Sequence, residues 1–181
     1  TLSLLIAAGA DVNATGSDGW TPLTNCCLYG NTEGLRLLLA APGIDVNKTN
    51  NSGNTPLQIA SDKSNNEQIR QLVAAGANVN TTGNDGWTPL TNCCLYENEE
   101  GVRILLSAPG ININMTNSSG DTPLQIATTK RNNGIISMLR QASQSGSGST
   151  STAQNSSSAQ AELQDMGITP DDYDQAICNA T

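Results

Sequence analysis

DGWTPLTNCCLY runs from Asp18 to Tyr29 and returns, letter for letter, from Asp85 to Tyr96. Two relatives of its centre, NTPLQIA at Asn54–Ala60 and DTPLQIA at Asp121–Ala127, fall between and after the copies. The prolines Pro22, Pro56, Pro89 and Pro123 therefore recur at steps of 34, 33 and 34. The glycines Gly19, Gly53, Gly86 and Gly120 keep the same steps. A period near 33 decides the architecture, because units of this size bury their apolar faces by stacking on one another.

Each unit carries its own start and stop signals. Thr precedes Pro at every anchor, an N-cap followed by a proline at the first helical position. A short helix follows, then a polar break at Gly30-Asn31, Ser64-Asn65, Asn98 and Arg131-Asn132. The second helix carries its apolar face in Leu35, Leu38, Leu39; Ile69, Leu72, Val73; and Val102, Leu105, Leu106. In the last unit Ile136 and Leu139 hold this place, with Arg140 where leucine or valine stood before. Pro42-Gly43 and Pro109-Gly110 stop two of these helices. Short extended pieces follow at Asp11-Val12-Asn13, Asp45-Val46-Asn47, Asn78-Val79-Asn80 and Asn112-Ile113-Asn114. Helices this short are not stable alone.

The four G-x-T-P-L segments, with AAGADVN at Ala7–Asn13 and APGIDVN at Ala41–Asn47, resemble the ankyrin repeat over roughly residues 1–142. The resemblance implies an all-α solenoid of helix-turn-helix repeats with β-hairpin loops. It implies a non-enzymatic module that binds a protein segment in a concave groove. The APGIDVN ending is similar to repeats of bacterial ankyrin proteins; in a bacterial effector the place of action would be the host cytosol. Departures from the pattern are informative. Thr24, Gln58, Thr91 and Gln125 stand where the family has a helix-opening histidine, so that hydrogen bond must be replaced or lost. Cys26-Cys27 and Cys93-Cys94 replace small alanines, and Asn25 and Asn92 alternate with Ile59 and Ile126 at a place where the family has leucine. The alternation marks a double unit, two repeats long and duplicated once.

The expected divisions are a partial repeat at 1–16 (second helix and hairpin only), repeats at 17–50, 51–83 and 84–117, and a capping repeat at 118–142. A Gly/Ser/Thr-rich segment at 143–158 reads as a flexible linker, and 159–181 as a short acidic helical tail opened by Thr169-Pro170. The tail has two readings, a short partner-binding helix that folds back near Lys63 and Lys130, or a solubilising end. In the first unit Leu2, Leu5 and Ile6 form one helical face, expected to be partly uncovered and to belong to a longer array; homotypic contact through this face is one way to cover it.

Composition narrows the function classes. Formal net charge is −8 and the sequence pI about 4.2, against nucleic-acid binding, which rests on Lys and Arg neutralising phosphates. The same charge opposes adsorption to anionic membrane, and no apolar run approaches the ~18 residues of a span. There is no histidine, so the usual base for a Ser or Cys nucleophile is missing, and no phosphate loop stands in a strand-to-helix context. No enzyme activity and no cofactor are expected. Of five cysteines, four form two adjacent pairs; neighbours on a helix point about 100° apart, which suits small apolar filling better than a zinc site. The odd count fits free thiols in a reducing, cytoplasmic compartment. The Asn-x-Ser/Thr triplets are read as hairpin residues rather than glycan acceptors.

The candidate contact residues come from the alternation. Trp20 and Trp87 precede Thr-Pro, and Tyr29 and Tyr96 close the first helix. The even units put Asn54 and Asp121 at the tryptophan place and Lys63 and Lys130 at the tyrosine place, with Asp62 beside Lys63. The resemblance implies that both places face the groove. The expected partner site is therefore Trp20, Tyr29, Trp87 and Tyr96 as anchors, with Asn54, Asp62, Lys63, Asp121 and Lys130 setting polar register. The competing reading makes the aromatics local scaffolding.

Overall fold

A computed structural model of the chain describes residues 2–146. Nine helices occur among them: α1 (Leu2–Ala7), α2 (Pro22–Leu28), α3 (Thr32–Leu39), α4 (Pro56–Asp62), α5 (Asn66–Ala74), α6 (Pro89–Leu95), α7 (Glu99–Leu106), α8 (Pro123–Lys130) and α9 (Asn133–Gly146). They form an all-α repeat stack, and no strand occurs among the described residues. The compact unit runs from Thr1 to Ser143. α9 continues past 142 to Gly146; the remainder of the expected linker, the acidic tail and Cys178 lie outside the described residues.

The helix starts follow from the sequence signals. Thr21, Thr55, Thr88 and Thr122 are N-caps with proline in the first turn, and each closes a reciprocal box with the residue three ahead. In the odd units that residue is threonine: Thr88 N–H donates to Thr91 Oγ1 at 2.7 Å, and Thr91 N–H to Thr88 Oγ1 at 3.1 Å. In the even units glutamine does more. Gln58 Oε1 accepts from Thr55 N–H at 2.8 Å, while its Nε2 donates to the Trp87 carbonyl of the next unit at 2.7 Å. The hydrogen bond expected from histidine is thus replaced rather than lost. Second helices open on Asn31, Asn65 and Asn98, each accepting an amide with its side chain.

Two layers result. First helices pack in series, α2 on α4, α4 on α6, α6 on α8; second helices run α1 on α3, α3 on α5, α5 on α7. Between them lies one continuous core including Leu23, Leu35, Leu38, Leu57, Ile69, Leu72, Leu90, Val102 and Leu105. In α1, Leu2 and Ile6 pack against this core, while Leu5 (58% exposed) and Leu4 (72%) point away. The expected three-residue face is therefore two residues wide: Leu5 lies about 60° from Leu2 and about 100° from Ile6, on the side away from the core. In α9 the buried pair is Ile135 and Leu139; Ile136 is only half-buried, since no further unit covers that side among the described residues.

The cysteines explain the alternation. Cys26 and Cys93 are buried beside Gly34 and Gly101, and a Cβ added at either glycine would lie 2.9 or 2.8 Å from the facing Sγ. Where the first helix has Ala60 or Ala127 instead, the second helix carries the large, fully buried Gln68 or Ile135 at the same register. Each unit thus fills one volume in one of two ways. Gln68 also reaches back 42 residues, its Nε2 donating to the Cys26 carbonyl at 2.9 Å, while its Oε1 is buried without a partner.

The hairpin loops close on two backbone bonds each: Gly16 N–H to Trp20 O with Gly19 N–H to Gly16 O, and likewise Asn50 to Asn54 with Gly53 to Asn50, Gly83 to Trp87 with Gly86 to Gly83, and Asn117 to Asp121 with Gly120 to Asn117. They are too short to run as strands. What joins them is a ladder of asparagines. Asn13 accepts from Asp45 N–H and donates to Gly43 O; Asn47 accepts from Asn78 N–H; Asn80 accepts from Asn112 N–H and donates to Gly110 O, all at 2.7–2.8 Å. Asn50 and Asn117 are buried and bond turn amides of their own loops. Gly86, at φ +75°, both makes its turn and lets Ser118 N approach where a Cβ would lie 2.8 Å away.

Candidate functional site

A cleft opens across the first helices α2, α4 and α6. Its volume is about 230 Å³. Trp20 and Leu28 contribute from the second unit, Asn54, Gln58, Ile59, Asp62 and Lys63 from the third, and Asp85, Trp87, Asn92, Leu95 and Tyr96 from the fourth. Six of the nine expected contact residues are therefore in one place: Trp20, Asn54, Asp62, Lys63, Trp87 and Tyr96. Tyr29, at 79% exposed, and Asp121 and Lys130 do not line it. Tyr29 caps α2 at the position equivalent to Tyr96, but the unit before it has no first helix among the described residues to supply the other wall. Asp121 and Lys130 sit one unit beyond the cleft.

Sequence reasoning missed Leu28, Gln58, Ile59, Asp85, Asn92 and Leu95. The signal for three of them was present. Asn92 and Ile59 occupy the first-helix place that departs from leucine, and that place looks into the cleft. Asp85 belongs to the Asp-Gly-Trp triplet already singled out by its repetition.

The backbone amide of each tryptophan is held by a carboxylate. Asp18 Oδ1 accepts from Trp20 N–H and Asp85 Oδ1 from Trp87 N–H, both at 3.3 Å, and both indoles are half-buried against the core. The even units have Ser52 and Ser119 at the aspartate place. Across the cleft, Asp62 faces the Tyr96 hydroxyl; that hydrogen bond, then burial, raises the phenol above its ordinary pKa. Asp62 also pairs with Lys63 at 3.3 Å, a half-exposed contact of about 0–1 kcal/mol.

The cleft is smaller than the roughly 300–1,000 Å³ that encloses a drug-sized ligand. Aromatic and aliphatic walls interleaved with amides and charges suit a few side chains of a protein segment. No group of three or more His, Cys, Asp or Glu able to hold a metal occurs among the described residues. The four described thiols are buried, and burial raises Cys26 and Cys27 and pushes Cys93 and Cys94 up to about 12. They are therefore protonated and poor ligands or nucleophiles near neutrality. No described helix is long and apolar enough to cross a membrane.

A family model described as ankyrin repeats (3 copies) matches residues 1–83 and 64–148. No curated protein matches the chain.

Proposed function

This chain belongs to the ankyrin-repeat family, whose members are generally protein-interaction modules and typically not enzymes, and from that premise we propose that it binds a protein segment in the cleft across α2, α4 and α6. The observation that carries this reading is the convergence of Trp20, Trp87 and Tyr96 on one opening bordered by Asn54, Asp62 and Lys63. Tryptophan and tyrosine supply the largest losses when interface residues are truncated. The walls come from neighbouring units locked by Gln58 and Gln68, so the surface is already ordered and binding costs little conformational entropy.

The test is Trp87→Ala. Binding of a segment selected on the intact chain falls by about 2 kcal/mol or more, as for a hot spot. Binding that survives in a folded Trp20→Ala/Trp87→Ala variant overturns the reading. A second reading, contact between copies of the chain, rests on the outward Leu4 and Leu5 of α1. Sedimentation of the intact chain against Leu4→Glu/Leu5→Glu decides it, since only that reading has the variant dissolve an oligomer.

A further inference from the structure

The cleft's charges and rings specify more than a generic peptide. Two carboxylate side chains, Asp62 and Asp85, and one lysine, Lys63, line it. Lys63 is already paired with Asp62. Asp85 spends one oxygen, Oδ1, on the Trp87 amide, and no contact of its Oδ2 with a cation occurs among the described residues. An exposed carboxylate oxygen therefore stands two positions from an indole that lines the same opening. The Asp-Gly-Trp triplet also precedes α2, where Trp20 lines the cleft and Asp18 does not. The chain as a whole carries a net charge of −8, which favours approach of a cationic segment.

A cation above an indole face is attracted to the ring, and tryptophan is the best of the aromatic partners. Among protein cations the guanidinium combines a flat face that stacks on a ring with a fork of donors that matches a carboxylate. It is also less strongly hydrated than an ammonium, so it enters a half-buried cleft at lower cost.

We propose that the partner segment presents an arginine to this cleft, its guanidinium stacked on Trp87 and hydrogen-bonded to Asp85. The proposal rests on the reading of the cleft as the protein-binding surface. Leu28, Ile59 and Leu95 then meet the apolar neighbours of that arginine. Asp62 is a second acceptor once its weak pairing with Lys63 opens.

A phage-displayed library of random peptides, selected on the full chain and counter-selected on Trp20→Ala/Trp87→Ala, tests it. Should that variant lose its helical circular dichroism, Asn92→Arg serves instead, because it sets a guanidinium of the chain's own into the cleft. The expected result is a set of cleft-dependent peptides enriched in arginine. Replacing that arginine by glutamine weakens each synthetic peptide about tenfold, since ring and carboxylate contacts are lost together. Replacing it by lysine weakens binding less, and Asp85→Asn in the chain weakens it roughly 2–5-fold. Raising salt weakens the arginine peptides and leaves their glutamine versions little changed. Cleft-dependent peptides without arginine enrichment, or insensitive to Asp85→Asn, overturn the arginine assignment and leave the binding surface standing. A selection that yields no peptide dependent on Trp20, Trp87 or Asn92 overturns both.

Discussion

At the scale of single residues, the clearest relation is the exchange of volume between Cys93 and Gly101. Alanine usually improves a helix over glycine by about 1 kcal/mol. Here the added Cβ would meet Cys93 Sγ at 2.8 Å and Asn98 Nδ2 at 2.5 Å. Overpacking of this kind costs about 1–3 kcal/mol, so Gly101→Ala lowers the urea midpoint. Cys93→Ala alone is also destabilising, since it leaves a gap. The double variant loses less than the sum of the two, and a double-mutant cycle reads the difference. The same thiols set a pH dependence. Cys93 and Cys94 are raised to about 12 and Cys26 and Cys27 are raised by the same burial, so the folded chain holds protons that the unfolded chain releases first. Their contribution is complete below the unfolded thiol value near 9 and is lost as pH climbs toward 12. In a Cys178→Ser variant, Ellman's reagent at pH 8 finds almost no reactive thiol until urea unfolds the chain. None of this volume exchange was legible from the cysteines by themselves. Their smallness was; their partners Gly34 and Gly101, in the following helix, were hidden because a glycine inside a helix reads equally well as a weak point.

At the scale of elements, the start of every first helix was legible. Thr-Pro fixes an N-cap and a first turn by local chemistry alone, and all four Thr-Pro starts appear where the sequence puts them. Burial grades their worth. Thr88 is 2% exposed, so Thr88→Ala leaves the Thr91 amide without an acceptor and lowers stability by about 1–2 kcal/mol. Thr122 and Gln125 are more open to water, and Thr122→Ala costs only about 0.5 kcal/mol, the low end for a cap. Paired urea titrations check the ranking. Less legible were side chains whose role depends on a neighbouring unit. Gln58 stood out only as a replacement for histidine and Gln68 not at all, yet both are buried because their amides find carbonyls 29 and 42 residues away. In α9, spacing from earlier units pointed to Ile136, but the terminal helix buries Ile135, where it meets Ala127 rather than a cysteine.

For the molecule as a whole, cohesion depends on having neighbours on both sides. α3, α4, α5 and α6 have them, whereas α1 packs on α3 and fully buries no residue. In such linear arrays stability is close to a sum of unit and interface contributions. Hydrogen exchange should therefore rank amides of α1 fastest and those of α4 through α6 slowest, with the ladder bond of Asn78 slower than that of Asp45. Protection that is uniform along the stack overturns this picture. The alternation of glutamine-bearing and cysteine-bearing units has a genealogical corollary. Among the described residues the third unit alone clasps both of its neighbours, with Gln68 behind and Gln58 ahead. Excising residues 51–83 would abut two cysteine-bearing repeats that offer only Thr24 or Thr91 and Gly34 or Gly101 at those places, and the asparagine ladder and apolar packing would span the joint without a glutamine. A deletion or insertion of one whole double unit brings the clasp along with it. Descendants of this chain can thus change length by recombination in steps of two repeats and keep every glutamine bond, whereas odd-numbered exchanges leave a seam without one.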